Sequence, residues 1–201
     1  MTGQQIEMAL FPLGMFLFPG EQAGLHIFEP RYKELLADCE QLGITFGLVY
    51  EQESKTTTLG SVVRLKEVRK RYPNGELDIV VECIGSIKVF EIYRKLHGKG
   101  YPGGRVQLID LGLEMQPERE TLELWLELLP MVDPKRLPRT RLNTPTLSTI
   151  LKVVKPGTRA KAQIAARKDV ESRDKLVRKA IQYTILMHRQ EAAVADGFYL
   201  N

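Results

Sequence analysis

The sequence contains few residues of the kinds that bind metals or form disulfides. Among its 201 residues there are two cysteines and three histidines, and none of them stands in a Cys-x-x-Cys pair or another metal-ligand spacing. Cys39 and Cys83 lie within apolar patterns, so we interpret both as reduced core residues, which is typical of cytoplasmic proteins. We therefore predict no disulfide, no metal ion and no cofactor.

Long hydrophobic runs are missing as well. The apolar stretch Met8–Phe18 is preceded by Glu7, follows no basic residue and is interrupted by Pro12 and Gly14, so it does not match a secretory signal peptide. No segment approaches the roughly 18–20 apolar residues that a membrane-spanning helix needs. We expect a cytoplasmic protein that does not contact a membrane.

Motifs for catalysis are also absent. The three histidines are far apart in the sequence, no serine or cysteine lies in a recognisable nucleophile motif, and no G-x4-G-K-S/T phosphate loop occurs. The segment Gly98–Gly103 matches the dinucleotide pattern G-x-G-x-x-G. However, Pro102 removes a backbone donor from it, and a strand pattern follows where the motif requires a helix. The sequence predicts a protein that is not an enzyme.

Positive charge is concentrated in the second half of the chain. Residues 1–113 contain 13 Lys and Arg and 14 Asp and Glu. Residues 135–190 contain 15 Lys and Arg but only three Asp and Glu. Between these segments, residues 114–133 contain one basic and six acidic residues. Either the acidic and basic segments lie side by side and neutralise each other, or the basic segment presents an electropositive face to an acidic partner.

The first half of the chain has the pattern of short β-strands around one helix. We predict strands at residues 6–13, 22–28, 44–50, 62–71, 76–83, 87–93 and 105–111, with a polar loop at 51–58. Asn74–Gly75 favours a tight hairpin, and Gly85 favours a bulge or bend that curls the sheet. Apolar residues at i, i+3, i+4 and i+7 predict a helix that begins at Pro30 and ends before Gly43.

After Gly112 the apolar period changes from two residues to 3.6. Four helices are predicted, at residues 117–129, 145–154 and 159–167 and from 169 or 172 to a stop at Gly197, with Thr144 as the N-cap of the second. A basic, proline-rich connector is expected at 134–144. The predicted fold is α+β, with a curled β subdomain carrying one helix at 1–112 and a bundle of about four helices at 113–201.

Several motifs together resemble the amino-terminal domain of the Lon (peptidase S16) family, in the short stand-alone form without the protease. They stand in the order and spacing of that family, and the match runs along nearly the whole chain. The motifs are FPL at Phe11–Leu13, FPG at Phe18–Gly20, IFEPRY at Ile27–Tyr32, Gly60–Ser61–Val62, and the hairpin turn Pro73–Asn74–Gly75 leading to Gly85.

The resemblance implies a fold and a role. The implied fold is a PUA-like β barrel with an appended helical bundle. The ATPase and the Ser–Lys protease of full-length Lon have no matching positions in this sequence, so proteolysis is not carried over. The role that remains is recognition of unfolded or extended polypeptide, with a separate ATPase or protease chain as a further partner.

Candidate contacts for a polypeptide lie in and after the FPG segment. Four consecutive large apolar residues, Met15 to Phe18, cannot all point into one core. Some are therefore covered by the helical subdomain, or they remain exposed as a binding patch beside a sheet edge. We predict Phe16, Phe18 and Phe28 as the apolar contacts, in a groove between the barrel and the helices.

An alternative function is RNA binding, because PUA-like barrels often serve RNA-modifying enzymes. One arm of the predicted hairpin is rich in basic residues, and the later helices are basic as well. Against this alternative, no aromatic residues on which nucleobases could stack are interleaved with the basic residues of the arm. The basic residues of the arm are Arg64, Lys66, Arg69, Lys70 and Arg71.

Overall fold

A computed structural model of the chain describes residues 4–52, 55–137 and 144–198. The chain forms two compact units, Met1–Leu111 and Gly112–Asn201. Within the described residues, the first unit has six strands and one α-helix, and the second has four α-helices. The predicted α+β class, with strands first and about four helices after them, is confirmed.

The first unit is a curled sheet that closes on itself. Its strands are β1 (Gln5–Leu13), β2 (Gln22–Ile27), β3 (Phe46–Gln52), β4 (Lys55–Arg71), β5 (Leu77–Tyr93) and β6 (Gly103–Ile109), and its helix α1 spans Pro30–Leu42. The strand order is β2-β5-β4-β3-β1-β6, and β6 also pairs with β5. Five strands therefore form a closed ring, and β2 lies outside it on β5.

Strand β5 changes its neighbour halfway along its length. Its first part, residues 77–82, pairs with β2, and residues 86–93 pair with β6. Between the two parts, Val62 pairs with Gly85 but Val63 pairs with Cys83, so Ile84 is an extra residue. A bulge of this kind increases the local twist of a strand. The predicted bulge at Gly85 is confirmed, and it lies at the change of partner.

Strand β1 is buried on both of its faces. Met8 and Leu10 belong to one apolar cluster, with residues of β3 to β6, whereas Ala9 and Phe11 belong to a larger one that includes α1. The ring of Phe11 stacks on Tyr32 of α1 at 3.8 Å between centroids. Because side chains alternate along a strand, a single strand can join two cores only when both faces are apolar.

Helix α1 follows the sequence prediction closely. The predicted apolar stripe is buried, and it consists of Tyr32, Leu35, Leu36 and Cys39. Gly43 ends the helix with a φ of 66°, and its N–H donates to the carbonyl oxygen of Cys39. That left-handed conformation costs a residue with a side chain about 1–2 kcal/mol, which explains the glycine.

The FPG segment is held against the sheet by one buried serine. The Leu17 N–H donates to the hydroxyl oxygen of Ser61 at 2.9 Å, and the same hydroxyl donates to the Leu17 carbonyl at 2.8 Å. The Gly20 N–H also donates to the Cys83 carbonyl. Residues 14–21 form no regular element, so these bonds satisfy backbone groups that a strand would otherwise pair.

The second unit contains α2 (Arg119–Leu128), α3 (Leu147–Val154), α4 (Thr158–Ala165) and α5 (Val170–Phe198), with short 3-10 turns at Leu129–Met131 and Pro134–Arg136. A buried carboxylate connects α2 to α5. Asp174 accepts hydrogen bonds from the Thr121 hydroxyl and from the Glu118 N–H. Trp125, Val177 and Ile181 pack in the interior of this unit and are fully buried.

Three local predictions are wrong. The N-cap of α3 is Thr146, whose hydroxyl accepts from the Thr149 N–H, and not Thr144. Helix α5 ends at Phe198, so Gly197 lies in its last turn and does not stop it. Much of the predicted loop at 51–58 is strand, since β3 and β4 pair as far as Gln52 and Lys55. Residues 53 and 54 of that loop lie outside the described residues. Residues 138–143 of the predicted connector also lie outside them.

We expect Ser61→Ala to lower the free energy of unfolding by about 1–3 kcal/mol, because it leaves the buried Leu17 N–H without its partner. The Leu17 carbonyl would keep only the weak Cys83 thiol donor at 3.4 Å. Urea denaturation measures this change. Ser86→Ala is the matched control: that serine is also buried, but its hydroxyl has no hydrogen-bond partner among the described residues. Equal losses in the two variants would contradict the role assigned to Ser61.

Candidate functional site

The three phenylalanines predicted as polypeptide contacts differ in exposure. Phe28 directly follows β2 and is 58% exposed, whereas Phe16 and Phe18 are 1% and 4% exposed. The Phe16 and Phe18 rings form an edge-to-face pair with centroids 5.7 Å apart. A buried ring cannot contact a ligand unless it moves. The assignment of Phe16 and Phe18 therefore stays a prediction, and Phe28 alone of the three is accessible in the structure.

Phe28 lies beside an exposed cluster of rings and carboxylates. Its ring is 6.2 Å from that of His26, and the Tyr72 ring meets His26 edge-on at 5.7 Å. His26 pairs with Asp78 across the β2–β5 ladder. Its Nδ1 lies 2.7 Å from Asp78 Oδ1, and its Nε2 lies 3.2 Å from Glu76 Oε2. The other oxygen of Asp78 accepts from the Tyr72 hydroxyl at 2.7 Å.

The protonation of this cluster follows from its hydrogen bonds. The bond to Asp78 raises the pKa of His26 above its ordinary value of 6.5. The same bond, together with the one from Tyr72, lowers the pKa of Asp78, and Tyr72 in turn has a raised pKa. All these groups are open to solvent, where ion pairs contribute little to stability. The side chains of this cluster include no serine or cysteine nucleophile.

We expect the pKa of His26 in the folded protein to lie above 6.5, and Asp78→Asn to lower it more than Glu76→Gln does, because the Asp78 hydrogen bond is the largest cause of the shift. Since the folded pKa is raised, this contribution to stability is present below the unfolded pKa and is lost as the pH rises through the folded one. NMR titration of the His26 ring measures these values. An unchanged pKa in Asp78→Asn would contradict the assignment.

The five basic residues predicted for RNA binding lie on β4 and are exposed. Three of them pair with carboxylates: Arg64 with Glu82 at 2.7 Å, Arg69 with Glu67 at 3.8 Å, and Arg71 with Glu40. Lys66 and Lys70 have no carboxylate within ion-pair distance among the described residues. Lys70 Nζ lies 4.3 Å from the centroid of the Tyr72 ring.

An apolar groove lies within the second unit, with a volume of about 590 Å³. It runs between α5 and the segment formed by the end of α3 and by α4. We call it the α4–α5 groove. Its apolar lining consists of Val154, Pro156, Ala160, Ile164, Leu176, Ala180, Tyr183 and Met187, and its polar lining of Lys155, Gly157, Gln163, Lys179, Thr184, His188 and Glu191.

The groove exists because the apolar surface of α5 is wider than the core needs. Val177, Ile181 and Ile185 point into the core and are buried. A second stripe at Leu176, Ala180 and Tyr183 continues to Met187 and faces the groove. The sequence alone does not separate these stripes, because both fit a helical period. An apolar arc broader than the usual 100° was the signal that one helix served two surfaces.

The lining of the groove is suited to binding. It carries two hydroxyl groups, on Tyr183 and Thr184, and that of Thr184 donates to the Ala180 carbonyl of its own helix. His188 lies 3.7 Å from Glu191, with no serine or cysteine in the lining. Elsewhere, burial raises the pKa of the Cys39 thiol to about 12, so it is not a thiolate nucleophile. Within the described ranges there is no cluster of metal-ligating side chains.

No helix among the described residues is long and apolar enough to cross a membrane.

Comparison with known proteins gives one family and a shared fold. A family model described as the ATP-dependent protease La (LON) substrate-binding domain matches residues 7–187. Among solved structures, the chain is similar to a Lon N-terminal domain protein from Xanthomonas campestris, with a TM-score of 0.65 and 19% identity over 84% of this chain and 94% of that one. It is also similar to the N-terminal domain of the Mycobacterium avium complex Lon protease, with a TM-score of 0.61 and 12% identity over 88% and 98%.

Proposed function

This chain belongs to the family of ATP-dependent protease La (LON) substrate-binding domains, and from that premise we propose that it is a non-catalytic module that binds unfolded or extended polypeptide through an apolar groove. Any ATPase or protease activity would come from outside these 201 residues, so a separate ATPase or protease chain is the partner we propose beside the polypeptide. The two buried cysteines form no disulfide, which supports a cytoplasmic location.

The α4–α5 groove is the observation that carries this proposal. Its volume lies in the range of ligand sites, which is about 300–1,000 Å³. Tyr183 is 65% exposed and Met187 is 37% exposed, although both are large and apolar. Tyrosine and methionine suit a surface that accepts many sequences, because Tyr offers a rigid apolar face and Met adapts its shape. A selector of unfolded chains requires that tolerance.

The edge of β2 is the second surface that supports polypeptide binding. Strand β2 pairs with β5 on one side and with no other described strand. Its free backbone groups would pair with an extended chain, and Phe28 would contact a side chain of it. Phe16 and Phe18 remain predicted contacts for a state in which residues 14–18 leave the sheet. Serine at either position would also create a cavity, so Phe28→Ser is the cleaner test of this surface.

We expect the protein to bind a reduced and alkylated, permanently unfolded polypeptide with micromolar affinity. Tyr183→Ser combined with Met187→Ser should weaken that binding about tenfold, since each change removes apolar contact area from an exposed position. Fluorescence anisotropy with labelled polypeptide measures the dissociation constant.

The matched control removes two exposed leucines outside the groove, in Leu108→Ser with Leu126→Ser. This variant should bind as the unchanged protein does. Circular dichroism and thermal unfolding establish that both double variants are folded. Equal affinity in the two variants would place the polypeptide site outside the α4–α5 groove.

RNA binding by the basic arm is the second candidate function. It is supported by Lys66 and Lys70, which have no carboxylate partner among the described residues. It is also supported by the Tyr72 ring beside Lys70, which contacts the His26 ring, which in turn lies next to Phe28. Bases would stack on such rings. The ion pairs of Arg64, Arg69 and Arg71 weaken this candidate, because those guanidinium groups are already neutralised locally.

We expect the protein to bind a single-stranded RNA oligonucleotide weakly, with an affinity that depends little on salt. The reason is that few basic side chains of the arm are available to neutralise phosphates. Each phosphate contact would contribute a slope of about 0.7 in log affinity against log salt. Filter binding over a salt series measures that slope, with Lys66→Ala and Lys70→Ala as the diagnostic variant. A steep slope that this variant abolishes would favour RNA over polypeptide.

A further inference from the structure

One wall of the α4–α5 groove belongs to a segment whose charged residues are all basic. Residues 147–168, which include both helices, contain six Lys and Arg and no Asp or Glu. Two of the exposed lysines that line the groove are Lys155, at the end of α3, and Lys179, on α5. The single acidic residue in the lining is Glu191, and His188 lies beside it.

Four other basic residues on α2 and α5 are paired with carboxylates. Arg119 pairs with Glu123, Lys175 with Glu171, Arg178 with Glu118 and Asp174, and Arg189 with Glu127. In contrast, neither Lys155 nor Lys179 has a carboxylate within ion-pair distance among the described residues. The bases that border the apolar lining are therefore free to meet charges on a ligand, whereas those on α2 and on the rest of α5 are occupied.

We infer that the α4–α5 groove selects apolar polypeptide segments flanked by acidic side chains. This inference rests on the proposed function and specifies its substrate class. The apolar lining would bury the hydrophobic residues of the segment, while Asp or Glu on either side of them meets Lys155 and Lys179. Basic flanks would instead face unpaired lysines, so such segments are rejected by repulsion. Segments with neutral flanks should bind with an affinity between those of the acidic and the basic segments.

The electrostatic preference is modest and depends on salt. Exposed ion pairs contribute little individually, so two of them give about a 3- to 10-fold difference in affinity. Screening over a Debye length of about 10 Å at 0.1 M salt reduces the difference further as salt is added. The apolar contribution does not decrease in this way. Salt dependence therefore separates the charge preference from the apolar binding itself.

The test uses three labelled peptides with one common apolar core, flanked by Asp and Glu, by Ser and Gln, or by Lys and Arg. Anisotropy titrations with the full chain give each dissociation constant at 20 mM and 300 mM salt. We expect the acidic peptide to bind about 3- to 10-fold more tightly than the neutral one at low salt, and the basic peptide to bind most weakly. The three affinities should converge at high salt.

Charge reversal at the two lysines should invert the order of the peptides. Lys155 has a positive φ of 46°, and Asp tolerates that conformation better than Glu does, so the variant is Lys155→Asp with Lys179→Glu. Lys155→Asn with Lys179→Gln should abolish the preference without inverting it. The control, Arg94→Glu with Lys95→Glu, changes the net charge by the same amount at exposed positions of the first unit and should retain the original order.

The outcomes separate this inference from the proposed function. Equal binding of the three peptides, or a preference that the lysine variants leave unchanged, would overturn the inference while leaving polypeptide binding intact. Binding of none of the peptides would overturn both. Where the charge-reversed variant unfolds, the neutral variant alone decides, because loss of the preference in a folded protein supports the role of the two lysines and its retention refutes it.

Discussion

The first unit depends on the double pairing of β5. This strand pairs with β2 through its first part and with β6 through its second, while β4 pairs with it from Leu77 to Lys88. Without the extra residue at Ile84, the two parts would continue in one plane and β6 would not reach the strand that closes the ring. Closure in turn buries β1 between two apolar clusters, and it provides the sheet against which Ser61 holds the FPG segment.

The second unit depends on a different constraint, the division of the apolar surface of α5. Three of its residues, Val177, Ile181 and Ile185, stabilise the core, and an adjacent stripe has no partner within it. Small side chains at Ala160 and Ala180 leave space between the helices, so the second stripe becomes a groove. Here a surplus of apolar surface, beyond what folding requires, is the physical basis of the proposed binding of polypeptide.

Charge plays unequal roles in the two units. On the β4 arm, residues of β4, β5 and α1 supply carboxylates to three of the five basic residues, so the positive charge of this run is partly neutralised in space. Around the groove, the bases of α3 and α4 have no acidic residue within their own segment. A cluster of Lys and Arg is therefore partly neutralised by its neighbours in one place, whereas in the other it is the basis of the proposed selectivity.

Local pattern determined the elements of this protein. Asn74–Gly75, the stripe of α1 and Gly43 act through neighbouring residues, so the hairpin and the first helix could be predicted, as could the α+β class. Tertiary structure alone decided the closure of the ring, the burial of Phe16 and Phe18 with the exposure of Phe28, and the choice of which α5 stripe faces the core. These depend on contacts between distant residues, and a periodic sequence contains no information about which of its apolar faces a distant segment will cover.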